Sequence, residues 1–241
     1  MSTILLEVKN LKKQYGKVVA LNELNLSLKK GRILGLLGEN GAGKSTAISI
    51  ISGELGYDAG EILYRGRPLG ACKREFQSDL GFVPQEIAVF RDLTCYENLK
   101  FWAKVYGVEA AQIEGRIAEI AKIFELKEVL QRQPDKLSGG YQRRLNIACA
   151  ILHKPELLFL DEPTVGIDVS IRKSILKTVR AFADAGMSIL YTSHYIDELQ
   201  EISDEVLIIK EGRALATLQR EDFANRSLEE IYLELSGAKL C

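Results

Sequence analysis

The chain has 241 residues, of which 46% are hydrophobic and 27% are charged, and its formal net charge is −1. This composition is typical of a globular protein with a sizeable core, and the balanced charge gives no reason to expect nucleic acid or an anionic membrane surface as a partner. Four widely separated cysteines and only two histidines argue against a disulfide framework or a zinc site. We therefore expect reduced thiols in a cytosolic compartment.

The apolar segments have the length of strands, so we expect neither a signal peptide nor a membrane span. Short strands are predicted at 3–8, 18–21, 24–28 and, farther along the chain, 60–66. The apolar run RILGLL (32–37) precedes a glycine-rich turn, which is typical of a buried parallel strand that leads into a helix. That helix is predicted to end at Gly53.

Between about residues 92 and 152 apolar residues recur at helical spacing. The helical segments are 93–107, 110–126 and 139–152. After them strands and helices alternate again, with strands predicted at 156–161, 187–193 and 205–212 and helices at 169–185 and 196–202. We predict an α/β fold: a mainly parallel sheet wrapped by helices, a small antiparallel part near the N-terminus and an inserted helical lobe.

The segment GENGAGKST (38–46) has the spacing G-x-x-x-x-G-K-[ST] between an apolar strand and a helix. Glycines are needed where the backbone turns its N–H groups toward phosphate oxygens, and the helix N-terminus adds a positive end. Lys44 would reach the β- and γ-phosphates, and Ser45 would place its hydroxyl on Mg²⁺. The predicted nucleotide-binding residues of this loop are Gly38, Asn40, Gly41, Ala42, Gly43, Lys44, Ser45 and Thr46.

Two acidic residues, Asp161 and Glu162, follow the apolar segment LLFL (157–160). The carboxyl end of a parallel strand is where α/β sheets bind ligands, so Asp161 would hold Mg²⁺ directly or through water and Glu162 would polarise an attacking water. His194 follows another apolar strand, and spacing alone leaves open whether it is structural or catalytic. If its strand end lies beside that of Asp161, His194 could bond the γ-phosphate and the attacking water.

A second pair of glycines, in LSGG (137–140), opens the helix predicted at 139–152. Ser138 could cap this helix, but a cap requires no glycines, and each glycine in the first turn costs roughly 1 kcal/mol relative to alanine. That cost is explained if a phosphate lies against the bare backbone N–H groups of Gly139 and Gly140. The chain's own nucleotide is expected at residues 38–46, so we predict that this second helix start binds a nucleotide held by a second copy. The polar residues of the helix, which include Arg143 and Asn146, are expected on its exposed face.

This ordered set of motifs resembles the nucleotide-binding domain of ABC transporters, as a single domain over residues 1–241. Residues 38–46 resemble the Walker A loop and 157–163 the Walker B strand. Residues 137–142 resemble the LSGGQ signature, with Tyr141 in place of the glutamine. The resemblance implies ATP and Mg²⁺ as ligands.

The resemblance also implies a P-loop NTPase fold with two lobes. A RecA-like lobe would comprise about residues 1–85 and 155–241, and an α-helical lobe about residues 86–154.

Further roles come only from this resemblance. Tyr15 would stack on adenine, Gln85 would contact Mg²⁺ or the water, and Asp168 would belong to a loop that crosses the dimer interface, although Val165 and Ile167 depart from the common sequence there. The implied catalytic residues are Glu162, His194 (as the switch histidine), Lys44 and Gln85. The implied Mg²⁺ ligands are Ser45, Gln85 and Asp161, and the residues implied to cover the other copy's ATP are Ser138, Gly139 and Gly140.

The resemblance implies a head-to-tail dimer with a second nucleotide-binding domain, either an identical copy or a paralogue. The helical lobe would contact a separate integral membrane permease, and the chain would lie in the cytoplasm on the inner face of the cell membrane. The segment 88–107 and the lack of a long insertion resemble exporters of the ABC-2 type. The alternatives are a soluble ABC ATPase outside transport and a nucleotide-binding regulator that does not hydrolyse ATP, and Glu162 argues against the latter.

Overall fold

The computed structural model describes residues 3–237, in which strands and helices alternate along most of the chain. The strands are β1 (Ile4–Tyr15), β2 (Val18–Lys29), β3 (Ile33–Leu37), β4 (Ala59–Tyr64), β5 (Arg67–Pro68), β6 (Leu80–Val83), β7 (Leu157–Asp161), β8 (Ser188–Ser193), β9 (Glu205–Lys210) and β10 (Arg213–Gln219). The helices are α1 (Lys44–Ser52), α2 (Lys73–Asp79), α3 (Cys95–Val105), α4 (Ala110–Ile123), α5 (Gly139–Ala150), α6 (Val169–Asp184), α7 (Ile196–Ile202) and α8 (Leu228–Ser236).

Four of the strands form an antiparallel sheet in the order β2-β1-β4-β5, which confirms the antiparallel part predicted near the N-terminus. The prediction of separate strands at 18–21 and 24–28 was wrong, because β2 is continuous across both. Glu23 has φ 58° and Asn10 on the facing strand has φ 48°, and the pairing register shifts near both residues. These bulges let the chain bend within the strand without ending it.

The other six strands form a mainly parallel sheet in the order β10-β9-β3-β8-β7-β6, in which only β10 runs antiparallel to its neighbour. Every residue of β3, β7 and β8 is buried. Both faces of these strands are covered, which is why they read as continuous apolar runs in the sequence. Because they are parallel and adjacent, the carboxyl ends of β3, β8 and β7 meet at one edge of the sheet.

Two apolar cores lie on the two faces of this sheet, and successive strand residues enter them alternately. On one face, residues such as Leu34 and Phe159 pack with α1 and the antiparallel sheet. On the other face, residues such as Leu158 and Ile189 pack with the helices from α3 to α7. The sheet is therefore a central layer, and α1 is held directly beneath the strand ends.

Three helices, α3, α4 and α5, connect β6 to β7, as the sequence predicted. A capping box starts α3: the N–H of Glu97 donates to Thr94 Oγ1 at 3.2 Å, and the N–H of Thr94 donates to the Glu97 carboxylate at 2.8 Å. The apolar faces of these helices join the same core as the sheet. The division into lobes near residues 86 and 154 stays a prediction.

No helix within residues 3–237 has both the length and the apolar character that a membrane span requires. Cys72, Cys95 and Cys149 are buried free thiols. Near the C-terminus, α8 packs on the body of the chain through Leu228 and Ile231. Residues 238–241 lie outside the described residues.

Candidate functional site

The loop between β3 and α1 exposes the start of the helix. Gly43, which precedes α1, has φ 107°, and a Cβ atom there would lie 2.7 Å from the carbonyl oxygen of Ala20, so only glycine fits. No side chain caps α1, and the N–H groups of a first helical turn have no partner within the helix. A helix start of this kind suits a phosphate group.

Lys44, the first residue of α1, lies across this loop with only 4% of its surface exposed. Its Nζ atom donates to the carbonyl oxygens of Gly38 at 2.7 Å and Glu39 at 3.2 Å, and it lies 3.4 Å from Oε1 of Glu162. Oxygen atoms therefore surround the ammonium group at the point where the motif predicts the β- and γ-phosphates.

Asp161 ends β7 and faces the first turn of α1. Its Oδ1 atom accepts hydrogen bonds from Ser45 Oγ at 3.3 Å and from Thr192 Oγ1 at 2.6 Å. Burial raises the pKa of the Asp161 carboxyl above its ordinary value, and the two hydroxyl donors partly offset that rise. A hydroxyl and a carboxylate oxygen in contact fit Mg²⁺, which prefers oxygen ligands and usually takes only one or two carboxylates together with substrate phosphates.

Glu162 is the first residue after β7, and it contacts residues at the end of β8. Its backbone has φ 44°, a conformation that costs a non-glycine residue about 1–3 kcal/mol. Its N–H donates to Thr192 Oγ1 at 2.9 Å, and its Oε2 atom lies 3.1 Å from Nδ1 of His194. Thr192 thus holds both acidic residues with one hydroxyl. The sequence gives no signal for Thr192, because the partners of a threonine at a strand end depend on the strand order.

A cleft of about 450 Å³ opens above this loop. The predicted residues that line it are Asn40, Gly41, Gly43, Lys44, Ser45, Thr46, Gln85, Glu162 and His194. The remaining predicted residues of the loop, Gly38 and Ala42, do not line the cleft. A Cβ atom at Gly38 would lie 2.5 Å from the carbonyl oxygen of Ile209, and Ala42 is 6% exposed. These two residues therefore pack against the rest of the protein and determine the conformation of the loop.

Tyr15 is 47% exposed at the end of β1 and is not among the residues that line the cleft. It pairs across the hairpin with Val18, which does line the cleft together with Val19 and Ala20. The aromatic ring therefore stands beside one wall of the cleft, and an apolar strand forms that wall. The sequence pattern predicts only a strand at 18–20, since nothing in it distinguishes a residue that lines a cleft from any other strand residue.

The second glycine pair lies away from this cleft, at the start of α5. Ser138 occupies the N-cap position but makes no side-chain cap, and both Ser138 and Gly139 are exposed. Gly140 is buried, and a Cβ atom there would lie 2.3 Å from Cδ1 of Ile171 on α6. Close packing against Ile171 therefore explains the second glycine without a phosphate. Gly139 is the exposed glycine of the pair at this helix start.

The residues after the glycines brace this helix. Tyr141 is half-buried, and the Arg144 guanidinium lies 5.9 Å from the centre of its ring. Gln142 turns back: its Nε2 atom donates to the carbonyl oxygens of Pro134 at 3.0 Å and Leu137 at 3.2 Å. Gln142 thus supports the loop that presents Ser138.

The expectation that Arg143 and Asn146 lie on an exposed face was wrong, because they are only 3% and 4% exposed. Arg143 donates to the carbonyl oxygens of Pro84 and Gln85, and the N–H of Ala88 donates to Asn146 Oδ1 at 3.3 Å. Polar backbone next to the helix, which the sequence pattern does not show, pairs with the Asn146 amide and with two of the three Arg143 guanidinium nitrogens, and Arg143 Nε is buried without a hydrogen-bond partner. Helix α5 therefore touches the loop that carries Gln85.

Asp168 is exposed at the N-cap of α6, on the loop that follows Glu162. The neighbouring Ile167 places its Cδ1 atom 4.0 Å from the position of a Cβ at Gly139. Asp168 and the start of α5 therefore share one exposed face, and neither Asp168 nor Gly139 lines the cleft around Lys44.

Comparison with known proteins gives one consistent result. The sequence profile of the family described as "ABC transporter" matches residues 21–165, more than half of the chain. The ATP-binding subunit of an ABC transporter, a solved structure, superposes with a TM-score of 0.86 at 30% identity, covering 96% of this chain and 99% of the other.

Two curated relatives are similar over most of the chain. A linearmycin resistance ATP-binding protein of Bacillus subtilis is 42% identical, covering 96% of this chain and 75% of the relative. The Nod factor export ATP-binding protein I of Sinorhizobium fredii is 36% identical, covering 89% of this chain and 62% of the relative. The chain thus spans three quarters of the length of the first relative and less than two thirds of the second.

We predict that Glu162→Gln lowers the rate of ATP hydrolysis by about 10²–10⁴-fold, because an amide cannot accept a proton from water. The variant should keep its affinity for ATP, since the loop and Lys44 remain intact. Lys44→Ala is the contrasting variant and should weaken ATP binding itself. Phosphate release and isothermal calorimetry measure the two effects. Full turnover by Glu162→Gln would contradict the role of the carboxylate.

Proposed function

This chain belongs to the ABC transporter family as a subunit that binds and hydrolyses ATP, and we propose that it powers export through a separate membrane protein. One observation carries the proposal: Lys44, Glu162 and His194 line one cleft, while Ser138 and Gly139 lie exposed at an uncapped helix start elsewhere. The first group forms a site for phosphate chemistry, and the second presents a helix start to another nucleotide.

The chemical step follows from the contacts of Glu162. Water attacks the γ-phosphorus as the bond to the β-phosphate oxygen breaks, and negative charge spreads over the phosphate oxygens. Glu162 would accept a proton from that water, and Lys44 and His194, which lie on either side of its carboxylate, would stabilise the charge. Ser45, Asp161 and Gln85 are the residues that would hold Mg²⁺, whose charge offsets that of the phosphates when it is bound.

The nucleotide would extend from this centre along the wall formed by Val18 and Val19. Tyr15 offers an exposed ring beside that wall, and an adenine base that leaves the loop in this direction could stack on it. Asn40, Gly41 and Thr46 line the path of the phosphates. This arrangement supports the assignment of the whole first glycine loop to the chain's own ATP.

The second helix start supports a dimer in which each copy completes the other's site. Ser138 and Gly139 are exposed and do not line their own cleft, and the adjacent loop carries the exposed Asp168. A head-to-tail arrangement would bring this face over the ATP held by another copy or by a paralogue. The N–H groups of α5 would then contact the γ-phosphate, so that ATP joins the two protomers and its hydrolysis releases them.

Exposed aromatic residues on α3 and in the segment before it support contact with a membrane subunit. Phe90 and Phe101 are 44% and 39% exposed, and their rings are 4.7 Å apart at the centres. Trp102 lies beside them and lines a cavity of about 260 Å³ that reaches Pro84, next to Gln85. An exposed aromatic group beside a cavity is suited to an inserted apolar segment of a partner. The contact would transmit motion to Gln85.

The names of the relatives favour export as the transport reaction. One is a resistance protein and the other an export protein, and both are ATP-binding proteins. By analogy the chain would serve an exporter of the ABC-2 type, on the cytoplasmic side of the cell membrane. The second candidate function is that of a soluble ABC ATPase outside transport. The exposed rings of Phe90 and Phe101 favour the first.

We predict that the chain, expressed at its natural level, co-purifies with an integral membrane protein after mild detergent extraction. Phe101→Glu should disrupt that complex, because a charge replaces an apolar contact, and should leave the ATPase activity of the isolated chain unchanged. Lys104→Glu on the same helix is a control for added negative charge. Recovery of the chain only in soluble complexes would contradict the transport function.

We predict that mixing Ser138→Arg chains with Lys44→Ala chains restores ATP hydrolysis. In the mixed dimer one composite site combines an intact Lys44 with an intact Ser138. The expected activity is about a quarter of the wild-type rate if protomers exchange freely. The control is a mixture of Ser138→Arg chains with chains that carry both Ser138→Arg and Lys44→Ala, because this mixture has no intact composite site. If each Ser138 served its own chain, the first mixture would show no recovery.

A further inference from the structure

Glu198 on α7 carries a buried carboxylate outside the nucleotide cleft. The residue is only 1% exposed and does not line the cleft. Its neighbours Leu199 and Ile202, on the same helix, supply apolar packing against the sheet. A carboxylate in such a place is unfavourable unless its oxygens are fully paired, and apolar residues in place of buried ionic groups are often at least as stable. Packing of α7 alone therefore does not explain an acid at this position.

The carboxylate is satisfied by hydroxyl groups from two other segments. Oε1 accepts a hydrogen bond from Thr164 Oγ1 at 2.6 Å. Oε2 accepts from Tyr191 Oη at 2.9 Å and from Ser193 Oγ at 3.0 Å. The Arg172 guanidinium on α6 lies 3.7 Å from Oε1 and supplies a positive charge. Both oxygens are thus paired, and α7 is joined to β8, to α6 and to the loop after β7.

The hydroxyl partners of Glu198 lie next to Glu162 and His194 in the chain. Thr164 lies two residues after Glu162. Ser193 directly precedes His194, and its hydroxyl also accepts the N–H of Tyr195 at 2.9 Å, directly after the histidine. One carboxylate therefore holds the backbone next to Glu162 and the backbone on both sides of His194. The contact of 3.1 Å between those two side chains depends on the relative position of these backbones.

We propose that Glu198 is a positioning residue that keeps Glu162 and His194 together by fixing Thr164 and Ser193 to one carboxylate. The proposal rests on the function proposed above, in which Glu162 accepts a proton from the attacking water. Glu198 contacts no residue of the glycine loop that holds the nucleotide. Its role is therefore in the chemical step, and the binding of ATP does not depend on it.

A shorter acidic side chain at position 198 distinguishes the effect of the position of the carboxylate from the effect of its charge. Glu198→Asp keeps the negative charge but withdraws it by one methylene, so Thr164 and Ser193 cannot both reach it. A misplacement of this size can lower a reaction rate about 10²-fold, and we expect a loss of that order in kcat with an unchanged Kd for ATP. Glu198→Gln keeps the length and should lose less. Glu201→Asp, at an exposed position of α7, is the matched control and should keep full activity.

The experiment measures single-turnover hydrolysis, calorimetric Kd for ATP and thermal unfolding of the purified full-length variants. A lower rate with wild-type Kd and wild-type unfolding supports the proposal. A wild-type rate in Glu198→Asp overturns it, and so does a rate that falls only in proportion to ATP binding and stability, which is what a purely structural role predicts.

A double variant distinguishes this proposal from the proposed function. Glu198→Asp in a Glu162→Gln background should cause no further loss of turnover, because the two residues act on the same step. A further loss as large as in the wild-type background overturns the positioning role. Full turnover by Glu162→Gln alone would refute the proposed function. If the single variant Glu162→Gln is inactive and the single variant Glu198→Asp is fully active, only the positioning role is refuted.

Discussion

The contact of the Glu162 carboxylate with both Lys44 and His194 depends on the order of three strands. Lys44 follows β3, His194 follows β8 and Glu162 follows β7, and these strands are neighbours in the parallel sheet. The register pairs Leu37 with Ser193 and Asp161 with Thr192, so the three strands end at the same level. A slip of one residue would turn each side chain to the opposite face. The site is therefore a consequence of sheet topology, and the buried apolar runs that fix the sheet also fix the chemistry.

The strain at Glu162 is consistent with this dependence. Its positive φ is unfavourable for a residue with a side chain, and Thr192 compensates by bonding both the Glu162 N–H and the Asp161 carboxylate. The same segment is held from behind by Glu198 through Thr164. Thr192 in β8 and Glu198 in α7 thus hold the segment that carries Glu162, although about thirty residues separate them from it in the chain.

The sequence predicts the parts of the site that have local causes. Residues 38–46 carry their own geometric requirement, since the glycines, the strand before them and the helix after them are contiguous. The signal of Asp161 and Glu162, at and after the end of β7, is equally local. Thr192, Arg143 and Glu198 are different, because each has partners from distant segments and an ordinary local pattern. Arg143 was expected in solvent for this reason, and the continuity of β2 was missed because bulges at Asn10 and Glu23 compensate each other across the strands.

Helix α5 connects the two ends of the proposed cycle. Ser138 and Gly139 at its start would face a second copy, and one turn later Arg143 donates to the carbonyl oxygen of Gln85 beside the chain's own cleft. A structure of the Glu162→Gln variant with Mg²⁺ and ATP would test this arrangement most directly. We expect a dimer in which each ATP contacts Lys44 of one protomer and Ser138 of the partner subunit. ATP bound at Lys44 of a monomer, with Ser138 in solvent, would contradict it.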